Sequence, residues 1–404
     1  MREVKCVTTK KTYLFSSEAV TQGHPDRLCD TISDALVDEF LKQDPYSRIV
    51  AESAISKGVI FVAARYASLG NVDIPEVARS VISGAGYTPE EYDVADSTVV
   101  TSLITMSPDQ RCQVDEAELK DGELDKLTAR NQITLFGYAC NHTPELMPLP
   151  ISLANHLAAE LVLARQDGRM PYLSPDCTVQ AGVIFDKGQP VGISNITLIA
   201  GLQRPKGADE HTLIQDFKNR VVQNVFASAA VVPDAKTEYF VNPAGVFPKS
   251  GPSSHSGMTG RKTDSNTYGC FARHSGSALS GKDPSRIDRV GAYAARYAAK
   301  NVVAAGLADA CEIQLSYSLG HAAPVSIQVQ TFGSSKVAET VIQKKVETIF
   351  DFRLGAIVRD FGLRHLPLRY KQGFYRKLAA HGHFGDSFLK LPWEKIDRTD
   401  DLIK

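Results

Sequence analysis

Residues 284–306 read PSRIDRVGAYAARYAAKNVVAAG, and CEIQLSYSL (311–319), VSIQVQTF (325–332) and KVAETVIQKKVETIF (336–350) follow, so a helix, two strand-like runs and a second helix succeed one another. The same order occurs twice upstream. LCDTISDALVDEFLKQ (28–43) sets Leu28, Ile32, Ala35, Leu36 and Phe40 at helical spacing, and RIVAESAI (48–55) and VIFVAARYAS (59–68) are strand-like runs around Ser56, Lys57 and Gly58. DIPEVARSVISGAG (73–86) closes that unit as a helix, with Pro75 in its first turn and Gly84 or Gly86 near its end. PISLANHLAAELVLAR (150–165), TVQAGVIFD (178–186), VGISNITLI (191–199) and HTLIQDFKNRVVQNVF (211–226) form the middle unit.

A topology repeated roughly every 130 residues, with little likeness between the repeats themselves, predicts an α/β (α+β) fold. Three similar α-β-β-α subdomains are expected, over residues 12–126, 127–255 and 256–404, with boundaries that chain segments can cross. Their mixed or antiparallel sheets should pack around a shared, pseudo-threefold centre. No low-complexity stretch or Pro/Gly linker separates the units, which favours one compact body.

With 404 residues, 43% hydrophobic and 23% charged, the chain has the proportions of a soluble globular protein. No run approaches the roughly 18 apolar residues of a membrane span. The start, MREVKCVTTKKTY, lacks the apolar core of a secretory signal, so a cytoplasmic protein without a membrane partner is expected. A net charge of −1 argues against a nucleic-acid partner. Seven scattered cysteines, odd in number and never spaced as CxxC, predict reduced thiols. In the tail, HGHFGDSFLKLPWEKIDRTDD (381–401) carries the only tryptophan, Trp393, and reads as a docking segment; its two histidines around a glycine are a weak metal signal.

GHPDR (23–27) opens the first helix, with Pro25 at its first position and Asp26 in its first turn; DPSRIDR (283–289) repeats the device, with Asp283 as cap, Pro284 first in the helix and Asp288 a turn further in. Each aspartate alone is an ordinary dipole partner. Glycine-rich stretches beside them add meaning. GPSSHSGMTGRK (251–262) delivers Arg261 and Lys262, and SGSALSGKDP (275–284) delivers Lys282 at the mouth of the last unit's first helix. Small residues let backbone amides approach a polyanion, and helix N-termini with Arg and Lys complete a phosphate site. This is no Walker loop, because Asp283 stands where Ser or Thr would follow the lysine. Ordinary glycine-rich turns with solvated cations remain the plain alternative. A phosphate site with Asp26 and Asp288 as magnesium ligands is the sharper reading.

FSSEAVTQGHPDRLCDTISDAL (15–36), LFGYACNHTPELMPLPISLANHL (135–157), GMTGRKTDSNTYG (257–269) and SGKDPSRIDRVGAYAARYAAKNVVAAGLADACEIQLSY (280–317) together resemble the S-adenosylmethionine synthetases (methionine adenosyltransferases) over nearly the whole chain. The resemblance implies three similar subdomains in a homodimer or dimer of dimers, with active sites shared across the subunit interface. It implies transfer of the 5′-deoxyadenosyl group of ATP to the sulfur of methionine, with release of triphosphate that is then hydrolysed. By the same resemblance His24, Lys282, Arg261 and Lys262 hold triphosphate, and Asp26 and Asp288 hold Mg2+. Glu52 holds K+, Phe247 lies beside the nucleoside, and Asp176 is retained near the nucleotide. Arg286 and Arg27 replace lysines and keep the charge.

Several positions depart from the family pattern. Arg65 stands where a glutamate meets the methionine ammonium, and Met106 where a glutamine faces methionine. Asn131 and Ile133 replace an aspartate and a glycine. His255 replaces an aspartate that reaches both substrates, Thr178 a lysine over the phosphates, and Val246 an arginine. A unit charge at 4 Å is worth on the order of 4 kcal/mol at an effective dielectric of 20, so loss of the glutamate attraction alone is worth roughly a thousandfold in methionine affinity. The expectation is therefore an ATP-dependent adenosyltransferase whose small-molecule acceptor lacks methionine's ammonium or carries extra negative charge, lodged against Arg65, Met106, Asn131 and His255. The alternatives are a conventional methionine adenosyltransferase and, third, an ATP-binding regulatory homologue or triphosphatase.

Overall fold

A computed structural model describes residues 12–203, 209–245, 247, 249–385 and 389–404. The first unit comprises β1 (Thr12–Val20), α1 (Pro25–Gln43), the hairpin β2 (Arg48–Ser56) and β3 (Val59–Ala67), α2 (Ile74–Ala85) and β4 (Thr98–Thr105). Next come β5 (Ile133–Cys140), α3 (Leu149–Gln166), the hairpin β6 (Leu173–Asp186) and β7 (Gln189–Leu202), and α4 (Glu210–Asp216). A π-helical turn, Phe217–Val222, carries α4 into α5 (Gln223–Phe226), and β8 (Glu238–Val241) follows. The remainder is β9 (Gly257–Met258), α6 (Thr263–Asn266), α7 (Ile287–Ala304), β10 (Ala310–Tyr317), β11 (Ser326–Gln330), α8 (Glu339–Ile349), α9 (Leu354–Phe361), α10 (Leu366–Arg369), α11 (Tyr375–His381) and α12 (Thr399–Ile403).

The expected repeat is present. Each unit contributes an antiparallel hairpin and a long helix, and among the described residues the strands form three sheets, β1-β6-β7-β8, β4-β3-β2-β9 and β11-β10-β5. Two of them are mixed, since β3–β4 and β7–β8 pair in parallel. Strands cross between units: β1 completes the sheet of β6 and β7, β5 that of β10 and β11, and β9 that of β2 and β3. The β6–β7 turn uses Lys187 (φ 50°) and Gly188 (φ 80°), the left-handed pair that a two-residue hairpin requires. Helix α1 packs on β2, α3 on β1 and β6, and α7 on β5 and β10. Gly137 permits the last contact, because a Cβ there would meet the carbonyl carbon of Ala295 at 2.0 Å.

One helix start differs from expectation. α7 begins at Ile287 with Arg286 as its N-cap, not at Pro284. The Asp283 carboxylate is drawn instead to the backbone of β2, accepting from Ile49 N–H at 2.8 Å, and from Ser285 N–H at 2.7 Å, so it tethers the preceding loop rather than capping the helix.

Helix α1 is buried along nearly its whole length, charged residues included. Asp26, Asp30, Asp34 and Asp38 recur at four-residue spacing and so share one face. Like charges so arranged repel, and burial raises the cost of their ionised forms. Each is met by backbone amides from distant segments. Met258 N–H donates to Asp26 (3.0 Å), Gly260 to Asp30 (2.7 Å), Gly281 to Asp34 (2.8 Å), and Phe374, Tyr375 and Arg376 to Asp38 (3.0 Å each). Buried Arg289 pairs with Asp34, and Arg27 donates to Ser265, Asn266 and the Ala379 carbonyl. The row thereby positions both glycine-rich loops on one helix.

The tail docks as expected. Trp393 is fully buried and stacks on Tyr293 with ring centroids 3.7 Å apart. Its indole N–H donates to the His383 carbonyl at 2.9 Å, and the His383 ring meets the Tyr293 hydroxyl at 2.8 Å, which makes His383 a core residue. Six cysteines among the described residues are free.

Asp38→Ala leaves three N–H groups, two buried and one half-buried, without their acceptor and is expected to lower unfolding free energy by about 3 kcal/mol. Urea unfolding of the two proteins checks this, and a loss under about 1 kcal/mol would contradict the role given to the row.

Candidate active site

Two groups of the expected residues assemble, at separate places along β2. The first surrounds the start of α1. Thr21 hydroxyl donates to the Pro175 carbonyl at 2.6 Å, and Gly23 lies so close to Pro175 that a Cβ would come within 2.4 Å. That approach, an extension of the β1–β6 pairing, brings His24 to Asp176 at the irregular start of β6. His24 caps α1, its Nδ1 accepting from Asp26 N–H at 3.2 Å.

Gly251, at φ 67°, turns its N–H onto Asp176 Oδ2 at 2.7 Å, and His255 Nε2 meets the same oxygen at 2.8 Å. The two imidazoles sit edge to face with centroids 5.0 Å apart. Arg261 lies 3.5 Å from Asp26, more than half exposed, and Lys262 lies 3.4 Å from Glu18. Burial pushes His24 down to about 4, against the opposing pull of Asp176 and Asp26. The hydrogen bond to Asp176 raises His255 above the ordinary histidine value.

The second group gathers where the loop before α7 bridges back to β2 at Val50↔Lys282. Lys282 Nζ donates to Ser277 Oγ (2.8 Å) and stands 4.0 Å from Asp288 Oδ1. That oxygen also accepts from Ser277 Oγ (2.8 Å) and Asn131 Nδ2 (2.9 Å). Burial lowers the Lys282 pKa, and Asp288 opposes the shift. Arg286 is half-buried at the cap of α7, and Glu52 is exposed on the same strand as Val50.

Arg65 pairs in register with Val50, and Arg65 Nε points at Met106 Sδ at 3.0 Å. Two strand spacings, about 10 Å, therefore separate the backbone of Arg65 from that of Lys282. The four residues expected around the acceptor are thus not one cluster within a chain: Arg65 and Met106 pair, Asn131 joins Asp288, and His255 belongs to the first group. Phe247 bridges Gly201, Thr178 pairs with Val20, and Val246 lies outside the described residues. No hydrogen bond or ion pair among the described residues joins the two groups.

The donor set suits the implied ions. Among the described residues no hydrogen bond reaches Asp26 Oδ2 or Asp288 Oδ2, leaving one carboxylate oxygen at each place for a cation that prefers one or two carboxylates with phosphate oxygens and water. Three supporting residues escaped the sequence reading. Ser277 was within reach of it, lying inside the SGSALSGK stretch. Glu18 was likewise within reach, inside the FSSEAV stretch, whereas Tyr87, whose hydroxyl donates to the Gly23 carbonyl at 2.5 Å, is brought in by folding and carries no local signal.

Three family models match in series: S-adenosylmethionine synthetase N-terminal domain over residues 12–108, central domain over 126–247 and C-terminal domain over 249–395. The chain belongs to the S-adenosylmethionine synthetase family, a family of adenosyltransferases. Among curated relatives, the S-adenosylmethionine synthase of Thermosynechococcus vestitus is 45% identical, covering 96% of this chain and 97% of its own. Those of Gloeothece citriformis (43%; 96% and 96%) and Microcystis aeruginosa (44%; 96% and 97%) are similar over the same extent. No described helix is long and apolar enough to cross a membrane.

The two histidines are expected to titrate apart, His24 near 4 and His255 above the ordinary value of 6.5. Because the Asp176 bond favours the imidazolium, Asp176→Asn should bring His255 down while leaving the fold intact. Ring-proton NMR across pH reads both; coincident titrations would contradict the assignment.

Proposed function

We propose that the protein transfers the 5′-deoxyadenosyl group of ATP to the sulfur of methionine, releasing triphosphate. The observation carrying this reading is the survival of both polyanion-binding groups, His24–Asp26–Arg261–Lys262 and Lys282–Asp288, on one sheet. The names of the full-length relatives point to methionine, and they favour it over the ammonium-free acceptor that the substituted residues first suggested.

Displacement at the 5′ carbon requires a multiply charged leaving group to be held in line with the attacking sulfur, so positioning and electrostatics carry the catalysis. Arg261, Lys262 and His24 would hold one part of the triphosphate at the N-terminus of α1, where backbone dipoles favour negative charge. Lys282, fixed by Ser277, would donate from the second group, and Arg286 would add charge at the edge. Phe247 would pack on the nucleoside. Magnesium at Asp26 and Asp288 would supply further neutralisation of the phosphate oxygens, and Glu52 would hold potassium.

The two groups lie four residues apart along β2, roughly 13 Å, and pairing of two subunits would bring the first group of one copy to the second group of the other. The face of β2, β3 and β4 turned away from the core supports a homodimer: Val59, Phe61, Val100 and Ile104 are all 41–59% exposed there, with Glu52 and Arg65 among them. Apolar patches of this kind mark association surfaces. A dimer of dimers is compatible with the same surface.

A second reading, an acceptor without an ammonium group, is favoured by Arg65. Its guanidinium occupies the outward face beside Met106, where a cationic acceptor group would be repelled.

Purified protein with ATP, Mg2+ and K+ should form S-adenosylmethionine in proportion to methionine, read by mass spectrometry together with phosphate release. Absence of that product, with adenosylation of a different compound in a metabolite extract, would move the assignment to the second reading. Arg65→Glu should change KM for methionine less than tenfold if methionine is the native acceptor, whereas a gain above a hundredfold supports the second. Phe61→Asp should shift the protein from dimer to monomer in light scattering and abolish turnover together.

A further inference from the structure

We propose that His24, Asp176 and His255 form a site for a nitrogen-preferring divalent cation of the Zn2+ class, chemically distinct from the oxygen-only pair Asp26 and Asp288. One ligand atom from each of the three residues lies within 4.8 Å of the other two. Zinc bonds of about 2.0–2.2 Å place tetrahedral ligands roughly 3.3 Å apart, so the widest pair must close by about 1.5 Å. His255, already 2.8 Å from Asp176 Oδ2, would swing slightly outward, and adjustment of the side chains about the ion supplies the rest.

The three ligands come from separate segments, and Gly251 ties two of them to one point. His24 is fixed as the cap of α1, with its N–H donating to the Thr21 carbonyl at 3.0 Å. Asp176 is buried and gripped by Gly251 N–H at 2.7 Å. His255 follows the turn Gly251–Ser253, its N–H donating to the Gly251 carbonyl at 3.1 Å. Such convergence distinguishes a site from a chance surface pair. His255 Nε2 and Asp176 Oδ2 already share one proton over 2.8 Å. A metal ion takes the place of that proton, which leaves to solvent, and the neutral imidazole and the carboxylate become ligands. His24 would offer a ring nitrogen, either Nε2 with the cap kept or Nδ1 in exchange for its long 3.2 Å bond from Asp26 N–H. The 43% exposure of the His255 side chain provides entry and leaves the fourth position to water.

Charges around the site oppose one another. Arg261, Lys262 and the positive end of α1 disfavour a cation, and Asp26 and Asp176 favour one. Two imidazoles then decide the selectivity, because nitrogen donors suit Zn2+ and Co2+ whereas carboxylate, phosphate and water suit Mg2+. If His24 holds triphosphate as proposed above, occupancy by zinc competes with ATP; this last step rests on that reading, and binding itself does not.

The test uses the full chain, stripped of metal, without nucleotide and with Mg2+ in millimolar excess. Co2+ is titrated by visible absorption, and Zn2+ by competition with a chromophoric chelator. One equivalent per chain with the intense visible band of four- or five-coordinate Co2+ is expected. His255→Gln and Asp176→Asn should each weaken binding tenfold or more, with circular dichroism melts showing both variants folded. No band and no competition in the parent protein would overturn the site, as would equal affinity in His255→Gln. Because no turnover is read, a failure of adenosyl transfer leaves this result intact.

Discussion

The interaction on which the rest of the structure depends is the row of aspartates along α1. A helix with four carboxylates on one buried face is unfavourable by itself, through repulsion and desolvation. It becomes a scaffold because backbone amides from the 257–260 loop, the 281 loop and the 374–376 turn converge on it. Those amides also need acceptors, since they lie wholly or partly out of solvent. Each side satisfies the other, and the result is that both glycine-rich loops are registered to one rigid element. Asp26 belongs to the row and to the site at once, which ties the chemistry directly to the frame.

Strand exchange makes the same connection at larger scale. β1 leaves its own unit to pair with β6, and this carries the start of α1 to Asp176. β9, two residues long, pairs Met258 with Ala54 and Gly257 with Ile55, which draws the Arg261–Lys262 loop onto the first unit. The site is therefore built at seams between units, where no single repeat holds enough functional groups. An outward face bears both Glu52 and Arg65 beside the exposed Phe61 and Ile104, and under the proposed function a second subunit would meet it there.

Departures from the family pattern take on definite physical meaning in the fold. His255, where the resemblance led to the expectation of an aspartate, is an imidazole pinned to Asp176. Asn131 donates to Asp288 and so supports that carboxylate without adding a second negative charge. Arg65 and Met106 contact each other, so those two changes are coupled. Val246 lies outside the described residues.

By itself the sequence determined the three α-β-β-α repeats, the hairpin turns at Lys57-Gly58 and Lys187-Gly188, the start of α1 at Pro25 and the candidate residues His24, Asp26, Arg261, Lys262, Lys282 and Asp288. These depend on local periodicity, turn chemistry and short motifs, all legible over a few residues. Tertiary structure alone decided which loop meets which carboxylate, that α7 starts at Ile287 because Asp283 is taken by β2, and that the residues separate into two groups rather than one. It also placed Glu18, Tyr87 and Ser277 in support, and set His24, His255 and Asp176 around one point. The physical reason is that buried polar groups choose partners by where strands cross and amides are left unpaired, and chain spacing carries no record of that choice.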